Sequence, residues 1–161
     1  MDVSIRPGGS AEDVNTVVRL HRDVYEREYG LDPSFAADVA TQLSELRRRG
    51  WPGPGEGLWL AELGDEGVGS ITLYELGDGR GRLGHLVLAP DARGSGAGRR
   101  LVEQVLEAAR AAPYERLELV TFSDLRAAGS LYRSVGFARV SSERSVRWGR
   151  EMEWQRYELE L

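Results

Sequence analysis

The residues of this chain best placed for chemistry lie in "ARGSGAGRR", residues 92–100. Gly94, Gly96 and Gly98 let backbone approach a ligand closely and turn its N–H groups inward. A helix that starts there adds unpaired N–H donors and the positive end of its dipole, which together make an anion site. Arg93, Arg99 and Arg100 add charge. Two phosphate-binding designs fail on spelling. The lysine-dependent P-loop needs a lysine, and all 21 basic residues here are arginine. The dinucleotide fingerprint G-x-G-x-x-G needs glycine at position 99 or 101, where this chain has Arg99 and Leu101. With no aspartate in the pattern to hold magnesium, a metal-free pyrophosphate is the ligand the loop suits, and no metal site is expected.

The elements that would position this loop follow from apolar spacing. Residues 2–6 alternate as a strand. Val14, Val17, Val18, His21, Val24 and Tyr25 form a helical stripe that ends at Gly30, and His21 in that stripe reads as a packed residue. Pro33 opens a second helix with Phe35, Val39, Leu43 and Leu46 inward, closed by "RRRG". Residues 51–57 are a loop. Strands are expected at 58–63, 67–76 and 82–90, then the glycine loop and a helix to about residue 112. A strand at 114–122 precedes a helix that ends at Gly136. Strands at 137–142 and 154–161 close the chain, joined by a polar, arginine-rich connection. The class is α/β (α+β), with a mixed, mostly antiparallel central sheet of about seven strands flanked by about four helices.

The chain's 161 residues suit one domain, 1–161, with 41% apolar and 29% charged residues. It has no cysteine, so disulfides and cysteine-ligated metals are excluded. A net charge of −5 argues against a nucleic-acid partner. Without a signal-like or membrane-length apolar run, a cytoplasmic location and no membrane association are expected.

The loop resembles the acetyl-CoA loop of the GCN5-related N-acetyltransferases, whose pattern Q/R-x-x-G-x-G/A is met by Arg93, Gly94, Ser95, Gly96, Ala97 and Gly98. About 30 residues downstream, "AAGSLYRSVGF" is similar to that family's A-x-x-L-Y-x-x-x-G-F helix end. The element order matches over the whole chain. "HRDVYEREYG" and "WQRYELEL" further resemble the acetyltransferase half of fusions with MarR-type regulators. The resemblance implies an N-acetyltransferase that moves an acetyl group from acetyl-CoA to a primary amine by direct attack. The acceptor would be a small molecule, peptide or protein, and a homodimer is possible in such a protein.

What the resemblance implies for residues can be named. Tyr132 would be the general acid for the leaving thiolate. The backbone at Val87 and Leu88 would polarise the thioester carbonyl and pair with the pantetheine. Gly94 to Gly98, Arg93 and Arg99 would hold the pyrophosphate. Family members often carry asparagine where this chain has Leu125, and Asp124 is the neighbour expected to make that coenzyme contact. His85 is the candidate base, although strand alternation puts Arg82 and Gly84 on the working face and turns His85 away. Water relayed to Glu28, Glu75 or a carbonyl is the other route. Tyr25, Glu28 and Tyr29, at the end of the first helix, would receive a cationic amine. Trp148 and Trp154 are core or pocket wall. The contrasting expectation is a coenzyme-binding sensor or interaction module with weak or no catalysis.

Overall fold

A computed structural model describes residues 2–161. Its seven-stranded sheet comprises β1 (Ser4–Pro7), β2 (Gly57–Leu63), β3 (Glu66–Gly77), β4 (Arg80–Leu88), β5 (Arg116–Phe122), β6 (Ala138–Arg147) and β7 (Arg150–Glu160). The spatial order is β1-β2-β3-β4-β5-β7-β6. Every pairing is antiparallel except β4 with β5. Helices α1 (Ala11–Tyr29) and α2 (Ser34–Arg48) cover one face, and α3 (Ala97–Ala111) and α4 (Arg126–Ser134) the other. This is the expected class, strand number and helix number.

The local causes are legible. Ser10 caps α1 by accepting from the Asp13 N–H at 3.0 Å, and the Asp13 carboxylate accepts in return from the Ser10 and Gly9 N–H groups. Arg6 of β1 binds Asp13 at 2.7 Å and holds its carboxyl down at about 2, which fastens the start of α1 to the sheet. Gly30 closes the helix in the left-handed conformation, φ 67°. Val17, Leu20, Val24 and Tyr25 then pack with Phe35, Val39 and Leu43 of α2 over β2 and β3. On the opposite face Leu101, Val102, Val105 and Ala109 of α3 pack on Ile71, Leu83 and Leu117.

The expected polar connection between the last two strands is instead continuous sheet. β6 and β7 pair from Ala138↔Glu158 to Arg147↔Arg150, around a tight turn at Trp148 and Gly149, both at positive φ. Nearly every β6 residue is exposed, so no apolar period marks the strand. Backbone pairing and turn geometry build it without hydrophobic patterning.

Candidate active site

Two irregularities of β4 create the site. β4 pairs with β5 only from Arg80↔Arg116 to Arg82↔Glu118. Beyond that the two strands part and leave a gap in the sheet. Between Ser70↔Val87 and Thr72↔Gly84, β4 carries one residue more than β3, a bulge with His85 at φ 52°. The bulge shifts the side-chain alternation by one. His85 therefore joins Gly84 on the α1/α2 face, which corrects the expectation that it turns away.

A groove of about 400 Å³ runs from the gap over the glycine loop. Its walls include Tyr29, Leu88, Arg93, Gly94, Gly96 and Gly98, with Leu131 across from them. Gly94 and Gly96 sit at φ 77° and 83°, a conformation that disfavours any side chain. Among the described residues no acceptor pairs with the N–H groups of Gly94, Ser95, Gly96, Gly98 or Arg99, whereas those of Ala92, Arg93 and Arg100 are bonded. Five free donors at the start of a fifteen-residue helix form an anion cradle. The Ser95 hydroxyl turns back to the Ala92 carbonyl, so Ser95 offers its backbone N–H. The Arg99 guanidinium donates to Ser134 Oγ at 2.9 Å, away from the loop.

The strand donors can be sorted by alternation. The Ala89 N–H donates to Val68 O at 2.7 Å, toward β3. Leu88, one residue back, therefore directs its N–H and C=O into the gap, and its carbonyl accepts from Arg93 at 3.1 Å. Val87, paired with Ser70, directs its backbone toward β3. Of the two residues expected to polarise a carbonyl, only Leu88 presents an N–H to the gap.

A second cleft, about 410 Å³, opens on the α1/α2 side of the same gap. It shares Tyr25, Leu86, Leu125 and Ala128 with the groove, so the two cavities meet at one wall. Tyr132 lies beside that wall, one helical turn after Ala128, and is 5% exposed. Its hydroxyl has no partner among the described residues, and burial raises its pKa, which keeps it protonated. His85 Nε2 donates to Gln42 Oε1 at 2.9 Å, and Nδ1 accepts from Thr72 Oγ1 at 2.7 Å. Gln42 in turn donates to the Tyr74 hydroxyl. Both ring nitrogens are thus engaged, which leaves His85 no free lone pair for the role of base. Burial, then the neighbouring His21, pushes His85 down to about 3. His21 donates from Nδ1 to the Val17 carbonyl at 2.8 Å, and burial lowers it to about 4. It is packed, as expected, and it also lines the cleft.

Other expected residues land elsewhere. Glu28 does not await an amine. It is held by Arg93 in a two-fold pair at 2.7 and 2.8 Å, which lowers its pKa and ties the loop to α1. Tyr29 faces the groove, and Tyr25 alone of that trio reaches the cleft. Asp124 is bound to Arg150 and does not line the groove, so the neighbouring-residue substitute for the family's asparagine is not in place. Leu125 itself lines both cavities. Trp148 and Trp154 are pocket wall. Sequence reasoning missed Asp38 and Gln42, whose signal was present: two polar residues one turn apart beside the Phe35/Val39 stripe of α2.

With this geometry in hand, the comparisons are specific. The model of the acetyltransferase (GNAT) family matches residues 16–137. Rat N-acetyltransferase 8B is 31% identical over 105 residues, 62% of this chain. The match covers 47% of the rat protein, so the chain spans about half the length of that relative. The uncharacterised N-acetyltransferase YjgM of Escherichia coli is 27% identical over 132 residues, covering 80% of this chain and 78% of YjgM. Among solved structures, the ribosomal-protein-alanine N-acetyltransferase of Brucella melitensis superposes with a TM-score of 0.78 at 21% identity, covering 98% of this chain and 99% of the other. The yncA protein of Salmonella typhimurium, determined with its cofactor acetyl-CoA, gives 0.78 at 17% identity over 99% and 94%. The chain belongs to the GNAT family of acetyltransferases.

Proposed function

We propose that this GNAT acetyltransferase moves an acetyl group from acetyl-CoA to the primary amine of a small acceptor, by direct attack with both molecules bound. The observation that carries the reading is the shared wall. One cavity offers an anion cradle, the other an aromatic cleft, and they meet at Tyr25, Leu86, Leu125 and Ala128 beside Tyr132.

Acetyl-CoA, when bound, supplies an acetyl thioester whose transfer exchanges a C–S bond for a C–N bond. The residues present fit that molecule: the N–H groups of Gly94, Ser95, Gly96, Gly98 and Arg99 suit its pyrophosphate, and the free edge of β4 suits an extended amide-bearing arm. The Leu88 N–H is the donor placed to stabilise negative charge on the carbonyl oxygen. Tyr132 gives its proton to the departing sulfur and is reprotonated by the proton that the acylated nitrogen sheds. The acceptor must shed a proton first, because an alkylammonium of pKa ~10.4 has no lone pair. His85 is tied at both nitrogens, and both histidines are neutral above about pH 4, so we route that proton to solvent through water in the cleft.

Incubation with acetyl-CoA and a panel of primary amines tests the reading by thiol release. Release that depends on the amine is the expected result; none with any amine, and no calorimetric binding of coenzyme A, contradicts it. The occupied nitrogens of His85 are what favour the second reading, a coenzyme-binding sensor. Tight coenzyme A binding without turnover would support it. Self-association is a separate question for sedimentation, with the exposed edge strand β6 as the surface to alter.

A further inference from the structure

We infer that the acceptor is a small amine that also carries a carboxylate, and that Arg82, with Trp154, reads that carboxylate. The inference rests on the acetyl-transfer reading and names its acceptor class.

Five buried side-chain polar atoms lack a partner among the described residues, and two of them, Arg82 Nε and Trp154 Nε1, belong to residues that line the acceptor cleft from one face of the sheet. Both are pure donors. A native protein rarely leaves such atoms unpaired in its interior, so what this cleft lacks is an acceptor. Arg82 of β4 pairs with Glu118 of β5, and Trp154 of β7 with Phe122 of β5, so both side chains stand on the same face of the sheet.

Charge points the same way. Arg82 and Arg147 line the cleft against one carboxylate, Asp38, which already accepts the Trp148 indole N–H at 2.7 Å. The Arg82 contact with Glu118 is long, 3.9 Å, and Glu118 is approached more closely by Arg80 at 3.2 Å and Arg116 at 3.5 Å. The Arg82 guanidinium therefore retains charge and donors for a ligand, in the planar fork that matches a carboxylate. A polyamine would need several carboxylates, and the cleft has only Asp38. Its volume of about 410 Å³ and its Phe35, Tyr74 and Trp148 walls suit the apolar body of an amino-acid-sized molecule.

Matched sets test this: apolar L-amino acids, their carboxamides and their decarboxylated amines, compared by kcat/KM and by calorimetric binding to the coenzyme A-loaded protein. We expect the acids to exceed both partners at least tenfold. Arg82→Gln should bring that ratio to within about threefold, through KM, with coenzyme A affinity retained. Trp154→Phe, which keeps the ring and removes the N–H, should lower the ratio by a smaller factor. Amides or amines that serve as well as acids, or a ratio indifferent to both variants, would overturn the proposal. The binding arm separates the two readings. Arg82-dependent preference for acids without turnover upholds this site and defeats acetyl transfer. Turnover of amines without acid preference does the reverse.

Discussion

At the scale of single residues, Tyr132 and Gly98 carry the sharpest consequences. Tyr132 is buried, protonated and beside the wall the two cavities share. Tyr132→Phe should lower kcat at least tenfold with coenzyme A affinity unchanged, read by thiol release and calorimetry. An unaltered kcat would remove it as the acid. Gly98 tests how closely the groove is filled at the start of α3. A Cβ there would meet Leu88 and Leu131 at 3.4 and 3.6 Å, ordinary contact, and the residue lies in the first turn of α3. Gly98→Ala should leave the melting temperature unchanged or slightly raised. Coenzyme A should bind within about threefold of the parent by calorimetry, because the loop pattern itself admits alanine at this position; a tenfold loss would show that the groove has no room for the methyl group. The glycines and Tyr132 were legible because local spelling defines them. Glu28 and Asp124 were not. Their partners, Arg93 and Arg150, lie 65 and 26 residues away, and only the fold shows that their charges are already matched.

At the scale of elements, helices declared themselves and β4 did not. The stripes of α1, α2 and α3, with Gly30 closing the first, placed those helices within a few residues. Strict alternation along β4 turned His85 the wrong way because a one-residue bulge leaves no mark in an alternating pattern. β6 was only half legible for the opposite reason: its start is expected at 137–142, but the rest is polar on both faces and reads as connection. The pair Glu28–Arg93 joins α1 to the loop before α3, so it should act on the ligand without touching it. Glu28→Gln should weaken coenzyme A binding three- to tenfold through loss of loop order, with global stability changed by less than about 1 kcal/mol for so exposed a pair. Equal affinity in the variant would show that the loop is shaped without its clamp.

For the whole molecule, the two histidines in the cleft link stability to pH. Their folded pKa values, about 4 for His21 and about 3 for His85, lie below the ordinary 6.5. Between those limits the unfolded chain binds more protons than the folded one, so stability rises with pH in that window. It is complete above about 6.5 and is lost as pH falls toward 4, by an amount on the order of a few kcal/mol. Thermal melts from pH 8 to 4 should therefore be flat above 7 and fall steadily below 6.5. A melting temperature that holds to pH 5 would contradict the neutral, buried pair. The global architecture was the most legible feature of all, because strand and helix order survives local errors at β4 and β6.

The central claim is that donor and acceptor occupy adjoining cavities at the same moment. The chain has no cysteine to carry the acetyl group between them. Initial velocities measured with acetyl-CoA and an amine acceptor varied together test this most directly. Intersecting double-reciprocal lines are the predicted result, the signature of a complex holding both. Parallel lines, which require the acetyl group to rest on the protein before the amine arrives, would contradict it.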